Sequence, residues 1–228
     1  MAQKIASIIL PALNEADAIG HVLSSISQDW VHEILVVDGG STDGTIQIAA
    51  KYGARVIHES RRGYGWACHS GLLAASGEFI VFLDADGADD PRHLPQLLSP
   101  LVNGHADLVL GSRLAGKMDK GAMPGTQWAG NVLASAMFSG LYHLHLTDLS
   151  PFRAAPRLKL LELHLVEMTY GYPTEMIAKA ARRGWRILEV PVSYHRRLGG
   201  KSKIAGTWRG TLLASYHILK LILSYSRS

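Results

Sequence analysis

The feature that most constrains this chain is a set of short runs that stay apolar at consecutive positions and end on an acid or a turn-forming residue. Glu33-Ile34-Leu35-Val36-Val37-Asp38 is the clearest of them, and it leads directly into Gly39-Gly40-Ser41-Thr42-Asp43-Gly44. A strand apolar on both faces must be covered on both faces, which is the situation of a parallel sheet between two layers of helices. The pattern recurs. Ile5 to Leu10 closes on Pro11, and Ala54 to His58, Glu78 to Leu83 and Asp107 to Leu110 follow. Between these runs lie stretches with helical spacing: Glu15 to Ile26, with Ile19, Val22, Leu23 and Ile26 on one face, then Thr45 to Tyr52, Gly65 to Ala75 and His93 to Val102. Alternating strands and helices of this kind define an α/β fold with a mainly parallel sheet.

The second half is less regular. Gly111 to Gly125 has no periodicity and reads as a long functional loop. Gln127 to Leu144 reads as a helix, Ser150-Pro151-Phe152-Arg153 as a break, Thr174 to Arg183 as a helix, Arg186 to Val192 as a strand and Arg196 to Lys203 as a basic loop. The last helix, Thr207 to Tyr225, contains the apolar stretch Leu212 to Leu223, interrupted by His217 and Lys220. That is short of the roughly 18 apolar residues a membrane span requires, which leaves an interfacial helix or one docked on the core.

Composition narrows the function classes. At 47% hydrophobic and 18% charged the chain has material for a core and lacks the signature of disorder. Its length of 228 residues suits one domain. A single cysteine, Cys68, excludes an intramolecular disulfide and a cysteine zinc site, and fits a reducing, cytoplasmic location; no secretory signal is visible at the start. Charge is uneven: from Arg182 onward ten basic residues face one acid, Glu189, while the preceding 181 residues carry 13 basic and 18 acidic side chains. A basic tail on an acidic body suits a nucleic acid, an anionic membrane surface or a phosphorylated substrate. Nucleic acid is not expected, since Trp185 and Trp208 lack the aromatic interleaving of a base-stacking surface.

Ligands of open α/β sheets bind beyond the carboxyl ends of the strands. Here those ends carry Pro11-Ala12-Leu13-Asn14-Glu15, Asp38 with its Gly/Ser/Thr loop, and Asp84-Ala85-Asp86-Gly87. Two carboxylates at i and i+2 beyond a strand project to one side and repel unless a cation lies between them, and hard oxygen donors select Mg²⁺ or Mn²⁺ bridging to a diphosphate. Asp89 and Asp90 read as acids at a helix start. Gly63-Tyr64-Gly65 is not a dinucleotide fingerprint, because Cys68 stands in place of the third glycine. His143 and His145, two apart on a predicted helix, point away from each other.

The three strand-end motifs, in this order, resemble those of the family 2 glycosyltransferases with the GT-A fold. Gly111-Ser112-Arg113, Asp148-Leu149-Ser150-Pro151-Phe152-Arg153, Glu189-Val190-Pro191-Val192 and Arg196-Arg197-Leu198-Gly199-Gly200-Lys201-Ser202-Lys203 are similar to the dolichyl-phosphate mannosyltransferase branch. The resemblance implies a catalytic domain over residues 1–203, with a nucleotide-sugar half at 1–111, an acceptor half at 112–203, and a helical segment at 204–228. It implies that Pro11, Asn14, Glu15, Asp38, Arg62, Asp84, Ala85, Asp86 and Lys203 surround the nucleotide sugar, with Asp38 on the base and Asp84 and Asp86 on the metal and diphosphate. Arg113, Arg196 and Lys203 would face the acceptor phosphate. The expected activity is inverting, metal-dependent transfer of a hexose from a nucleoside diphosphate sugar to a polyprenyl phosphate at the cytoplasmic face of a membrane, with the protein held there peripherally. Two alternatives stand beside it: transfer to a hydroxyl with Asp148 as general base, and a non-catalytic nucleotide-sugar sensor or membrane-surface adaptor. The sequence does not set the oligomeric state.

Overall fold

A computed structural model describes residues 4–199 and 208–226, with side chains throughout the first segment and from 216 in the second. Seven strands form one sheet in the order β3-β2-β1-β4-β6-β5-β7. The strands are β1 Ala6–Ala12, β2 Val31–Asp38, β3 Arg55–His58, β4 Phe79–Phe82, β5 Leu108–Ser112, β6 Arg153–Pro156 and β7 Ile187–Pro191. The pairings β1·β2, β1·β4, β2·β3 and β5·β7 are parallel; only β6, between β4 and β5, runs against its neighbours. Among the described residues, eight helices cover the faces: α1 Ala16–Ser25, α2 Thr45–Lys51, α3 Tyr64–Ala74, α4 Leu94–Val102, α5 Gly125–Tyr142, α6 Arg157–Glu162, α7 Tyr172–Arg182 and α8 Trp208–Ser226. A short 3₁₀ turn, Pro91–His93, precedes α4.

The side-chain alternation of the central strands divides the core into two layers. Ile8, Leu10, Val36 and Val81 pack with Ile19 and Leu23 of α1 and Leu94, Leu97 and Leu98 of α4. Ile9, Leu35, Val37 and Ile80 face the other way onto Leu72 of α3, Phe138 of α5 and Met176 and Ile177 of α7. Fully burying an Ile or Leu side chain is worth about 1.5–3 kcal/mol, so these two layers supply the main drive for folding. On the second face α3 lies close enough that a Cβ on Gly71 would meet Ile9 Cγ2 at 2.5 Å.

The expected parallel α/β pattern is present, and two elements are additional. The expected break at Ser150–Arg153 leads into β6, inside the sheet, and then into α6. Arg-Ala-Ala-Pro carries no β-branched or aromatic residue, so no strand signal exists locally. The strand forms because Ala154 and Ala155 fit between β4 and β5 at 0% and 1% exposure.

No helix among the described residues is long and apolar enough to cross a membrane. Of the two alternatives for the last helix, the described side chains of α8 match docking. Ile222 is fully buried, Ile218, Leu219 and Tyr225 pack on the α7 layer, and the Tyr142 hydroxyl donates to the Ile222 carbonyl at 2.7 Å. His217 meets Glu167 at 2.8 Å and the Tyr225 hydroxyl donates to Glu175 at 2.6 Å.

Candidate active site

The sheet order places β1 between β2 and β4, with the chain moving outward in one direction to β3 and in the other to β4. The loops after β1, β2 and β4 therefore open on one crevice at the carboxyl edge, the usual binding position of such sheets.

The first two loops are clasped together. Asn14 adopts φ of 53°, a conformation tolerated by Asn better than by most residues, and its Oδ1 accepts from Thr42 N–H at 2.8 Å. The Asn14 N–H donates to Ser41 Oγ at 2.9 Å, and the Glu15 N–H donates to Thr45 Oγ1 at 2.9 Å. Pro11 sits in β1 opposite Val37, and Asp38 ends β2 opposite Ala12. The Asp38 carboxylate turns back into its own loop, where Oδ2 accepts from the Gly40 and Ser41 N–H groups at 3.0 and 3.1 Å. At 1% exposure Asp38 shapes the loop in this structure, and the expected contact with a base would have to come after that carboxylate is uncovered.

The next loop approaches from β3. Arg61 is spent on Glu59 through Nε and Nη2 at 2.8 and 2.7 Å and stacks 3.7 Å from the Trp66 ring centroid, whereas its neighbour Arg62 is exposed at the carboxyl edge. Gly63, with φ of 144°, brings the start of α3 against residues 167–169: a Cβ there would lie 2.3 Å from the Met168 carbonyl oxygen.

That approach delivers Tyr64 to the end of β4. Its hydroxyl donates to Asp84 Oδ1 at 3.0 Å. Burial, followed by the charge of Asp86, pushes the Asp84 carboxyl up to about 6, against the pull of Tyr64 and Arg197. Ala85 is buried between the two acids. Asp86 Oδ1 accepts from the Ala88 N–H at 2.9 Å, and its Oδ2 pairs with Arg197 Nη2 at 2.8 Å. Of the two acids expected at the helix start, Asp90 caps the 3₁₀ turn through the Arg92 N–H at 3.0 Å. Asp89 differs: it is 2% exposed, its Oδ1 has no hydrogen-bond partner, and burial drives its carboxyl well above the usual range despite the nearby Arg113 charge.

The segment after β7 lies across this turn. His195 N–H donates to the Ala88 carbonyl at 2.8 Å and Leu198 N–H to the Asp86 carbonyl at 3.1 Å, while Tyr194 bridges to both Asp89 and Met118. It thus ties the acidic turn to the 113–124 loop. Arg196 points to that loop, giving Nε and Nη2 to the Lys120 carbonyl at 2.9 and 2.6 Å. Lys203 lies outside the described residues.

Arg113 and Asp148 are paired with each other in the interior. The Arg113 fork grips Asp148 through Nε at 2.8 Å and Nη2 at 2.7 Å, and the Arg113 N–H adds a third bond at 2.8 Å. Asn131 Nδ2 donates to Asp148 Oδ1 at 2.6 Å, and Glu189 accepts from the Asp148 N–H at 2.9 Å. Burial alone would raise the Asp148 carboxyl, but the hydrogen bonds and charge of Arg113 outweigh it and hold it below the ordinary range. Asp148 is 0% exposed, and both of its oxygens are engaged by Arg113 and Asn131. Arg113, at 5% exposure, serves mainly as the other half of that pair, and its guanidinium also lies 5.0 Å from the Tyr194 ring centroid.

Sequence reasoning gave no role at this edge to Asp89, Asn131, Tyr194 or Glu189, and it placed Arg196 toward an acceptor phosphate without foreseeing that Arg197 reaches Asp86. Neighbouring arginines in a loop diverge according to the turn between them, and no sequence signal distinguishes the two. Tyr64 was legible only as part of the short Gly63-Tyr64-Gly65 segment.

Asp84 and Asp86 fit a hard divalent cation. No further His, Cys, Asp or Glu joins them as a metal-binding group among the described residues. One or two carboxylates completed by water and substrate phosphates is the usual environment of Mg²⁺ in nucleotide sites. The cationic group already drawn to Asp86 also shows that this turn favours a positive charge.

A carboxylate pair at the central crevice of a mostly parallel sheet, faced by an arginine-bearing segment, suits a cation together with a phosphorylated ligand. Comparison with known proteins makes the assignment specific. Residues 7–162 match the family model described as glycosyl transferase family 2, and the chain belongs to that family. It is 40% identical over 227 residues to the uncharacterised glycosyltransferase Rv0539 of Mycobacterium tuberculosis, covering 97% of this chain and 100% of the relative. It is 36% identical over 199 residues to a dolichyl-phosphate hexose transferase of Haloferax volcanii, covering 85% and 84%. Among solved structures, glucosyl-3-phosphoglycerate synthase from M. tuberculosis in complex with Mn²⁺, UDP and phosphoglyceric acid superposes with a TM-score of 0.78 at 27% identity, covering 99% of this chain and 79% of that one. The fold is thus GT-A, and the protein is a glycosyltransferase.

Proposed function

We propose that the protein moves a hexose, with inversion, from a nucleoside diphosphate sugar to a polyprenyl phosphate presented at a membrane surface, assisted by Mg²⁺ or Mn²⁺. The observation that carries this reading is the state of Asp148. A hydroxyl acceptor needs a general base, and the carboxylate expected to act as one is locked in the Arg113 pair. A phosphate monoester, with a second pKa near ~6, is largely ionised at neutral pH and attacks without one. What it requires is cationic positioning, and Arg196 and Arg197 lie on the segment that crosses the acidic turn. The H. volcanii relative's activity toward a dolichyl phosphate supports the same acceptor class.

In this reading Asp84 and Asp86 would hold the cation, whose chemistry there would be neutralisation of the charge developing on the leaving diphosphate. Asn14, Thr42 and Ser41 keep the first two loops closed around the donor's nucleoside end, and Arg62 stands at its entrance. Buried Arg113 and Asp148 hold the start of the 113–124 loop so that Arg196 is presented rather than dispersed. Association with the membrane is peripheral.

A second reading is favoured by the structural likeness to glucosyl-3-phosphoglycerate synthase: transfer to a hydroxyl of a small phosphorylated acid. Both are tested together. Protein with UDP- or GDP-hexoses and Mn²⁺ is offered undecaprenyl phosphate or 3-phosphoglycerate, and products are separated by mass. Glycolipid formed by wild type and lost in Asp86→Asn supports the first reading; glycosyl-phosphoglycerate alone replaces it with the second. No transfer from any donor leaves neither standing.

A further inference from the structure

Asp84 and Asp86 are held in different ways. Asp84 receives a neutral hydroxyl from Tyr64, whereas Asp86 receives a cation from Arg197. Asp86 Oδ1 is committed to the Ala88 N–H, so Oδ2 is the oxygen that a metal would contact most readily, and Arg197 Nη2 already lies 2.8 Å from it. A guanidinium and a divalent cation cannot both occupy that place.

The placement of Arg197 is built into the main chain. The Leu198 and His195 N–H groups anchor the segment to the Asp86 and Ala88 carbonyls, and the Leu198 side chain covers Gly87, where a Cβ would lie 2.7 Å from Leu198 Cδ1. The neighbouring arginine is fastened separately, to Lys120. The side chain of Arg197 is 35% exposed, so it has room to leave while these main-chain anchors stay.

We propose that Arg197 is the internal counter-ion of the cation site: it holds Asp86 in place before the donor arrives and must vacate Oδ2 for the metal to bind. It is a positioning residue that sets the metal's apparent affinity and makes a guanidinium available at the moment the diphosphate is loaded. The inference rests on the metal–diphosphate reading of Asp84 and Asp86. Its magnitude follows from occupancy: if the pair is closed nine-tenths of the time, apparent metal affinity falls roughly tenfold.

The test is titration of wild type, Arg197→Gln, Arg197→Lys, Arg196→Gln and Asp86→Asn with Mn²⁺ alone, following free Mn²⁺ by electron paramagnetic resonance, with thermal melts to confirm folding. Arg197→Gln should bind Mn²⁺ roughly tenfold more tightly than wild type, although it transfers sugar more slowly. Arg197→Lys should remain near wild type, and Arg196→Gln, which removes the same charge one residue away, should change the dissociation constant less than about twofold. Unchanged or weaker binding by Arg197→Gln overturns the proposal, as does equal tightening in Arg196→Gln, which would indicate a diffuse field. Where wild type binds Mn²⁺ and Asp86→Asn does not, unchanged or weaker binding by Arg197→Gln sinks the counter-ion role and leaves the metal reading standing. If wild type binds none, the metal reading fails, and the counter-ion role with it.

Discussion

Asp148 accepts from the Arg113 fork, the Arg113 N–H and Asn131, and Arg113 is almost as buried as its partner. Breaking a buried pair leaves an uncompensated charge in the interior. Asp148→Asn is therefore expected to cost about 3–5 kcal/mol of stability, read by urea denaturation, without removing a basic limb from the pH–rate profile of whatever folded enzyme remains. A stable Asp148→Asn that had lost only such a limb would restore it as the general base. Asp84 behaves in the opposite sense. Its carboxyl is raised to about 6 by burial and by Asp86, so the folded state holds that proton more tightly than the unfolded chain does. The resulting penalty is present in full above pH 6 and disappears as pH falls through the ordinary carboxylate range. Asp84→Asn, whose amide oxygen still accepts from Tyr64, should melt higher than metal-free wild type at pH 7.5, with the gain shrinking toward pH 4. A lower melting temperature at pH 7.5 would show that Asp84 is not strained by its surroundings.

Elements are joined by similarly local devices. Asp107, at the start of β5, accepts from the Arg186 N–H and Nε at 2.9 Å and from Lys159 Nζ at 2.7 Å, which fixes β7 and α6 to the same strand end. Arg186, helped by Lys159 and against the opposing effect of burial, sets its carboxyl well below the ordinary value. For a depressed carboxylate the stabilisation is present above the unfolded value and is lost as pH falls through the folded one. Asp107→Asn should thus lower the melting temperature at pH 7, and the gap from wild type should narrow below about pH 4; a gap independent of pH would assign the effect to packing. Most parallel strands of this sheet were legible because they are long apolar runs buried on both faces. Strand β6 was not, since four residues containing two alanines and a proline have no intrinsic preference and are extended only by their neighbours. The docking of α8 was similarly undecided, because His217 and Lys220 interrupt an apolar stretch whether its partner is lipid or protein.

At the scale of the whole molecule, α5 carries more exposed large apolar side chains than any other element among the described residues. That 18-residue helix contains no charged residue, and it exposes Trp128, Val132, Leu133 and Leu141. It follows the loop bearing Lys117 and Lys120, which also accepts Arg196. If the protein works at a membrane, this face is expected to contribute beside the basic tail. Sedimentation with anionic vesicles at low salt should recover wild type in the lipid fraction and Leu133→Asp less, with binding weakening as salt screens contributions of about 1 kcal/mol per basic residue. Equal recovery with neutral and anionic vesicles would count against an electrostatic component.

What this sequence determines by itself is the layered α/β architecture and the line of strand ends along which the chemistry is arranged. Both follow from local rules: apolar runs require cover on two faces, and Asp84 and Asp86 are linked to β4 by covalent geometry whatever surrounds them. What only the tertiary structure decides is which polar groups remain available. Asp148 is 35 residues from Arg113, and Tyr64 is 20 from Asp84; Arg197 meets an acid from the middle of the chain. A carboxylate's role as base, ligand or buried anchor depends on the partner that reaches it first, and that partner comes from distant chain segments brought together by packing.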